Sequence, residues 1–155
     1  MAKLTYETET SAPPDAVLAA VRDFSDGRPE LWPQLAPRYY EVHEVDGDHA
    51  LVTEGTDTMG GIWARERYEW PDRGLVRATV EDSNVFRSGT WELRVRPRRG
   101  GGSHVEVRNH RRARGLKGHL LGAILQLGGR RMLAASLAET LTRVEAGRSD
   151  RRQPG

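Results

Sequence analysis

Hydrophobic and polar residues alternate with the two-residue period of β-strands over much of the first 110 residues. The clearest case is residues 90–96, where Trp91, Leu93 and Val95 fall on one face of the predicted strand. Glycine, proline and aspartate separate such segments, as in the Asp46-Gly47-Asp48 turn. The pattern predicts strands at 4–10, 39–45, 50–55, 62–70, 75–81, 90–96 and 105–109.

Helical spacing replaces this alternation in three places. Residues 11–15, Ser-Ala-Pro-Pro-Asp, are typical of a helix start and precede a short apolar stripe at 17–24. A second short helical or turn segment is predicted at 29–35. Near the end of the chain Leu133, Leu137 and Leu141 recur at the spacing of one helix face. Four glycines (118, 122, 128 and 129) weaken the start of this last helix, and they indicate either a kink or a close approach of its backbone to a sheet or ligand.

The order of elements predicts an α+β fold. A curved antiparallel sheet of about seven strands needs cover on one face, and the long C-terminal helix is the element available to cover it. Two short helices fall between strands 1 and 2. We therefore expect one domain over residues 1–147, an internal cavity between sheet and C-terminal helix, and a disordered basic tail at 148–155.

Composition excludes several kinds of site. The chain of 155 residues contains no cysteine, which rules out disulfides, thiolate zinc sites and cysteine nucleophiles. Its five histidines lack metal-ligand spacing, so we expect no metal. No targeting or membrane-spanning segment is visible, which favours a cytoplasmic location.

Basic residues are concentrated between residues 94 and 117, where nine of them face a single acid, Glu106. One interpretation is a docking patch for an acidic protein partner. The other is the solvated outer face of two strands. No aromatic residue interrupts the run, so bases would have no stacking platform and we expect no nucleic acid partner.

Three motifs resemble the START/Bet v 1-like (SRPBCC) superfamily, and within it the polyketide cyclase/dehydrase and lipid-transport branch. They are the Trp-Pro segment at 32–39, the Trp-x-x-x-Arg-x-x-x-Pro segment at 63–71 and Gly-Thr-Trp-Glu at 89–92. The second and third are similar to strands of bacterial aromatase/cyclases. The resemblance covers nearly all of residues 3–146 and implies a helix-grip fold with no cofactor.

The same resemblance implies a set of ligand-binding residues around a pocket. Carried over position by position, these are Trp32, Tyr39, Trp63, Arg67 and Trp91, and Asn109 is added as a hydrogen-bond partner. If the protein is an enzyme, Arg67 and Tyr39 would orient an enolised polyketide chain.

Strand 62–70 has two possible inward faces. Hydrophobic patterning points one face inward, which carries Glu66 and Tyr68. The resemblance points the other face inward, with Trp63 and Arg67, and we adopt that face because an arginine in a cavity could orient a phenol or carboxylate. For proton chemistry the candidates are Glu66, Asp82 and His110, with no spacing that links them.

Three functions are consistent with these observations. The first is a carrier or sensor that binds a lipid, isoprenoid, polyketide or other hydrophobic or aromatic small molecule. The second is a cofactor-free polyketide cyclase/aromatase. The third is an interaction module of the ubiquinone-binding or ribosome-associated type. Arg65 stands where the cyclases have a small hydroxyl residue, which favours the carrier.

Overall fold

A computed structural model of the protein describes residues 2–152. Four α-helices and seven β-strands make up most of this range. In chain order they are β1 (Ala2–Thr10), α1 (Pro14–Val21), α2 (Arg28–Leu31), β2 (Glu41–Val45), β3 (His49–Thr56), β4 (Ile62–Asp72), β5 (Leu75–Ser83), β6 (Phe86–Pro97), β7 (Ser103–Ala113), α3 (Gly115–Ile124) and α4 (Arg130–Arg152). A π-helical turn, Leu125–Gly129, joins α3 to α4.

The strands form one antiparallel sheet in the order β1-β7-β6-β5-β4-β3-β2. Only β1 departs from sequential order, since it pairs with β7 and not with β2. The pairing register shifts at several places, including one between Arg65 and Glu66 where β4 meets β5. Such bulges bend strands and increase their twist, which helps this sheet to curve. The predicted α+β helix-grip fold is confirmed.

The core lies between the concave face of the sheet and the helices. Val52, Val76, Leu93 and Val107 are fully buried on four strands of the sheet. From the helices, Val17 of α1 and a stripe of α4 cover them, the latter through Leu137, Leu141 and Val144. The apolar periodicities of the sequence therefore correspond to the buried faces of these elements.

Both interpretations of the glycine-rich segment apply, at different glycines. A Cβ at Gly118 would lie 2.2 Å from the carbonyl oxygen of Val85, so α3 approaches the turn between β5 and β6 at that glycine. The backbone then changes at Gly128, where the π-helical turn interrupts the helix before α4 begins.

The expectation of a disordered tail from residue 148 is wrong for residues 148–152. Helix α4 continues through Arg152, with the Arg151 Nε donating a hydrogen bond to the Gly147 carbonyl at 3.1 Å. Arginine has a high helix propensity, and a helix already held by packing propagates at little cost. Residues 153–155 lie outside the described range.

Candidate functional site

A cavity of about 240 Å³ lies on the concave side of the sheet. Its lining comes from α2 and the segment after it, the end of β3, the start of β4, and parts of β6 and β7. The lining residues are Arg28, Trp32, Gln34, Leu35, Glu54, Gly55, Thr56, Ile62, Trp63, Ala64, Glu66, Tyr68, Phe86, Trp91 and Arg111. The cavity was expected between the sheet and the C-terminal helix, but segment 28–35 contributes to its lining and α4 does not.

The inward face of β4 is the one that the hydrophobic pattern indicates. Ala64, Glu66 and Tyr68 are buried in alternation with more exposed neighbours. Arg67 points to the opposite face, where its Nε donates to Glu81 Oε1 at 2.9 Å. The assignment of Arg67 to the cavity is therefore corrected. Alternation decides the face because a small core cannot bury both sides of a strand.

A buried ion pair, Glu66–Arg111, forms part of the cavity lining. Arg111 Nη2 lies 2.6 Å from Glu66 Oε1, and the two side chains are only 13% and 7% exposed. The alignment is that of a close ion pair, without a well-angled hydrogen bond. Burial raises the pKa of Glu66, and the opposing charge of Arg111 does not fully offset this. Asn109 holds Arg111 in place, since Asn109 Oδ1 accepts from Arg111 Nε at 3.0 Å.

A second buried network lies beside the first. Arg28 donates from Nε to Glu54 Oε1 at 2.5 Å, and Tyr68 Oη donates to Glu54 Oε2 at 2.6 Å. The Nη1 of Arg28 also donates to two backbone carbonyls, of Val21 and Asp23, at 2.9 Å each. Burial by itself would lower the pKa of Arg28, but Glu54 and Tyr68 together outweigh burial and the pKa is raised. Burial raises the pKa of Tyr68 well above its ordinary value, and Glu54 adds to that rise.

Aromatic rings surround these charges. The Tyr68 ring makes edge-on contacts with Phe24 and Trp91, at centroid distances of 5.0 Å and 6.5 Å. The guanidinium of Arg28 lies over Trp32, 5.3 Å from the ring centroid. The indole Nε1 of Trp32 is buried and has no hydrogen-bond partner among the described residues. The cavity therefore combines flat apolar walls with a few inward polar groups, which suits recognition of a small molecule.

The structure brings together half of the predicted site residues. Trp32 and Trp91 line the cavity, and Trp63 contributes to the lining near the start of β4, although it alternates along the strand with Arg67 and not with Glu66. Asn109 reaches the cavity only through Arg111. Tyr39 lies outside the lining, with its ring against the backbone of Gly61 and under Arg38. Arg67 is on the outer face, as described above.

The candidates for proton chemistry are likewise separated. Glu66 faces the cavity, whereas Asp82 contacts Arg114 at 3.7 Å in a partly exposed pair. His110 alternates with Asn109 and Arg111 along β7 and so lies on the other face of the sheet. Within residues 2–152 no group of three or more His, Asp or Glu side chains could hold a metal ion.

Three charged lining residues were not found from the sequence: Arg28, Glu54 and Arg111. Arg111 shares its face of β7 with Val105 and Val107, so alternation from the predicted strand 105–109 would have placed it inward. Glu54 shares its face of β3 with the buried Val52, two residues earlier, so alternation would have placed it inward as well. Arg28 sits in a short helix that has no periodic signal of its own, and its burial depends on contacts far along the chain.

Residues 1–146 match the family described as polyketide cyclase/dehydrase and lipid transport. The chain belongs to that family. The SRPBCC resemblance seen in the motifs is thereby confirmed. Among the described residues no helix is both long and apolar enough to span a bilayer.

Solved structures agree on the fold. A protein from Thermus thermophilus superposes with a TM-score of 0.77 at 20% identity, covering 94% of this chain and 98% of that one. The Zhui aromatase/cyclase from Streptomyces sp. R1128 gives 0.77 at 16% identity, with 92% and 93% covered. A START superfamily protein from Mycobacterium smegmatis gives 0.68 at 12%, with 97% and 99% covered. No curated protein matches the sequence.

Proposed function

We propose that this family member is a carrier or sensor that binds one compact, hydroxylated aromatic molecule in the cavity between the sheet and segment 28–35. The observation that carries the proposal is the pairing of tryptophan walls with the buried Glu66–Arg111 pair. The family description supports binding of a hydrophobic or polyketide-like molecule, and the cavity chemistry narrows that class.

Cavity size favours a compact ligand. At about 240 Å³ the space is smaller than the roughly 300–1,000 Å³ usual for drug-sized ligands. A mono- or bicyclic ring system fits this size better than an extended polyketide chain. Trp91 and Trp32 offer large flat surfaces for such rings.

The polar groups favour a neutral ligand with a hydroxyl or enol. Each of the two cavity arginines already faces its own carboxylate, so the lining carries no net excess of charge. A carboxylate ligand would have to displace Glu54 or Glu66, whereas a hydroxyl could hydrogen-bond to Glu66 without breaking the pair. The unpartnered Nε1 of Trp32 offers a further donor to an oxygen of the ligand.

Glu66 also supports a second candidate function, the cyclase/aromatase. A buried carboxyl with a raised pKa can act as a general acid or base. Glu66 would then transfer a proton to or from the polyketide chain, whereas Arg67 and Tyr39 were expected to orient that chain. The carrier remains the better supported function, because both of those residues lie outside the cavity lining.

Three small probes test the proposal: 1-naphthol, 1-naphthoate and naphthalene, titrated while tryptophan fluorescence is recorded. We expect 1-naphthol to bind about tenfold or more tightly than naphthalene, since a hydrogen bond to a charged group contributes about 1.5–3 kcal/mol. Naphthoate should bind more weakly than naphthol. Equal binding of naphthol and naphthalene would contradict the assigned role of Glu66.

A matched pair of variants locates the binding. Glu66→Gln should reduce the preference for naphthol over naphthalene. Glu69→Gln, on the exposed outer face of the same strand, should leave it unchanged. If both variants behave alike, the probes bind elsewhere. A steady consumption of naphthol-like substrates by the wild type and not by Glu66→Gln would favour the enzyme over the carrier.

A further inference from the structure

Helix α3 and the turn that follows it expose an apolar stripe. We define the α3 stripe as Leu116, Leu120, Ile124 and Leu127, which are 87%, 54%, 45% and 89% exposed. Their spacing of three to four residues places them on one side of the helix. The opposite side holds Gly118 and Leu121, which are buried against the rest of the domain.

The sequence that contains the α3 stripe is basic, although two of its arginines, Arg111 and Arg114, are paired with Glu66 and Asp82 of neighbouring strands. No aspartate or glutamate occurs in the sequence between residues 107 and 138, which contains seven basic residues. Arg130 and Arg131 follow the stripe directly and are exposed, and Arg112 is exposed on the strand that leads into α3. A helical apolar stripe flanked in the sequence by exposed arginines is typical of helices that lie in the interface of an anionic membrane.

The basic run on the strands offers less to an acidic protein. Within that run, Arg94 lies 3.9 Å from Asp72 and Arg98 lies 3.6 Å from Glu9. Arg108 is paired with Glu106 at 2.8 Å. These contacts engage part of the run, whereas Arg130 and Arg131 lie outside it and are exposed beside the apolar side chains of the α3 stripe.

We propose that the α3 stripe, with Arg130 and Arg131, docks the protein on an anionic lipid surface. In this arrangement the four apolar side chains enter the acyl boundary and the two arginines contact lipid phosphates. The docking surface is separate from the cavity and does not depend on what the cavity holds.

The position of the stripe gives docking a use. A cleft of about 220 Å³ lies beneath α3, lined in part by Gly118, Gly122 and Leu125. Phe86 and Arg111 line both this cleft and the main cavity. A molecule dissolved in the lipid would meet the protein beside these two residues, and so close to the Glu66–Arg111 pair.

Vesicle co-sedimentation tests the proposal, with vesicles of phosphatidylcholine alone and of phosphatidylcholine mixed with phosphatidylglycerol. We expect the wild type to bind the mixed vesicles and to lose binding as salt is added. The affinity of the double variant Leu116→Glu with Leu127→Glu for the mixed vesicles should be lower than that of the wild type by about tenfold or more, because the variant lacks two apolar side chains that would enter the lipid. Arg130→Gln with Arg131→Gln should bind about 25-fold less, at roughly fivefold per charge lost.

The control double variant is Val42→Glu with Val45→Glu on β2, which adds the same charge at exposed apolar positions, 38% and 54% exposed, away from α3. It should bind like the wild type. Equal loss in both glutamate variants, or no binding of the wild type to anionic vesicles, would overturn the proposal. Size-exclusion chromatography with light scattering tests the alternative that the stripe contacts a second copy of the chain. That alternative would be supported if the wild type is a dimer that does not bind vesicles and the Leu116→Glu, Leu127→Glu variant is a monomer.

Discussion

Replacing Gly118 with alanine places a methyl group where α3 meets the turn between β5 and β6. The added Cβ would lie 2.2 Å from the Val85 carbonyl oxygen, and contact at 3.4 Å requires the helix or the turn to move by about 1.2 Å. That oxygen already accepts a hydrogen bond from the Arg114 N–H at 2.7 Å, at the start of the helix. The shift therefore strains a contact that fixes how α3 begins.

Three contributions set the expected change in the free energy of unfolding, and two of them destabilise the fold while the third stabilises it. Overpacking at a tight contact costs about 1–3 kcal/mol, and weakening the Arg114–Val85 hydrogen bond costs about 0.5–1.5 kcal/mol. The higher helix propensity of alanine returns about 1 kcal/mol. We expect Gly118→Ala to lower the free energy of unfolding by about 0.5–3.5 kcal/mol.

Gly122 is the matched control, because it lies one turn further along the same helix and a Cβ there meets nothing within 4 Å. Gly122→Ala should raise the free energy of unfolding by about 0.5–1 kcal/mol through helix propensity alone. Urea denaturation followed by circular dichroism measures both variants. Stabilisation of similar size in both would refute the close approach of α3 to Val85.

Three further predictions concern buried and tethering charges. Because its pKa is raised in the folded protein, Glu66 contributes stability at low pH that is lost as pH rises above its ordinary value of 4.5. The stability of wild type relative to Glu66→Gln should therefore fall with pH, as measured by urea denaturation across a pH series. Glu145 has a lowered pKa, chiefly because Thr10 Oγ1 donates to it at 2.5 Å, so the stability of wild type relative to Glu145→Gln should rise with pH instead. Arg28→Met leaves Glu54 buried without its cation and should cost about 3–5 kcal/mol; adding Glu54→Leu should recover part of that loss, and no recovery would contradict a pairing role.

Parallel slopes for the two glutamine variants would contradict the assigned burial of Glu66. The opposite signs matter because both variants make the same chemical change, from carboxyl to amide. Other titrating groups affect wild type and variants alike and cancel in each comparison.

Strand positions and buried faces could be predicted from the sequence where burial is decided locally. Alternation at 90–96 placed Trp91 and Leu93 on the inner face, because one face of the sheet packs on the core and the other faces water. The same physics gives the correct face of β4, with Glu66 inward. The resemblance implied the other face, and for that reason Arg67 was predicted in the cavity although it lies on the outer face.

The charged groups of the cavity were harder to predict because their burial depends on distant partners. Arg28 is 3% exposed, and the Glu54 carboxylate that neutralises it lies on a strand 26 residues later. Nothing in the local sequence of a four-residue helix indicates such a partner. The close approach at Gly118 is similar: the sequence shows a glycine in a helix, and the turn that requires it lies far earlier in the chain, at Val85.

Native mass spectrometry of the protein purified from its own host tests ligand binding in the cavity most directly. Wild type should carry a small additional mass that is lost on denaturation. Ala64→Met extends a side chain from the cavity wall and should remove that mass, whereas Ala138→Met on the exposed face of α4 should retain it. An identical bound mass in both variants, or none in repeated wild-type preparations, would contradict the account.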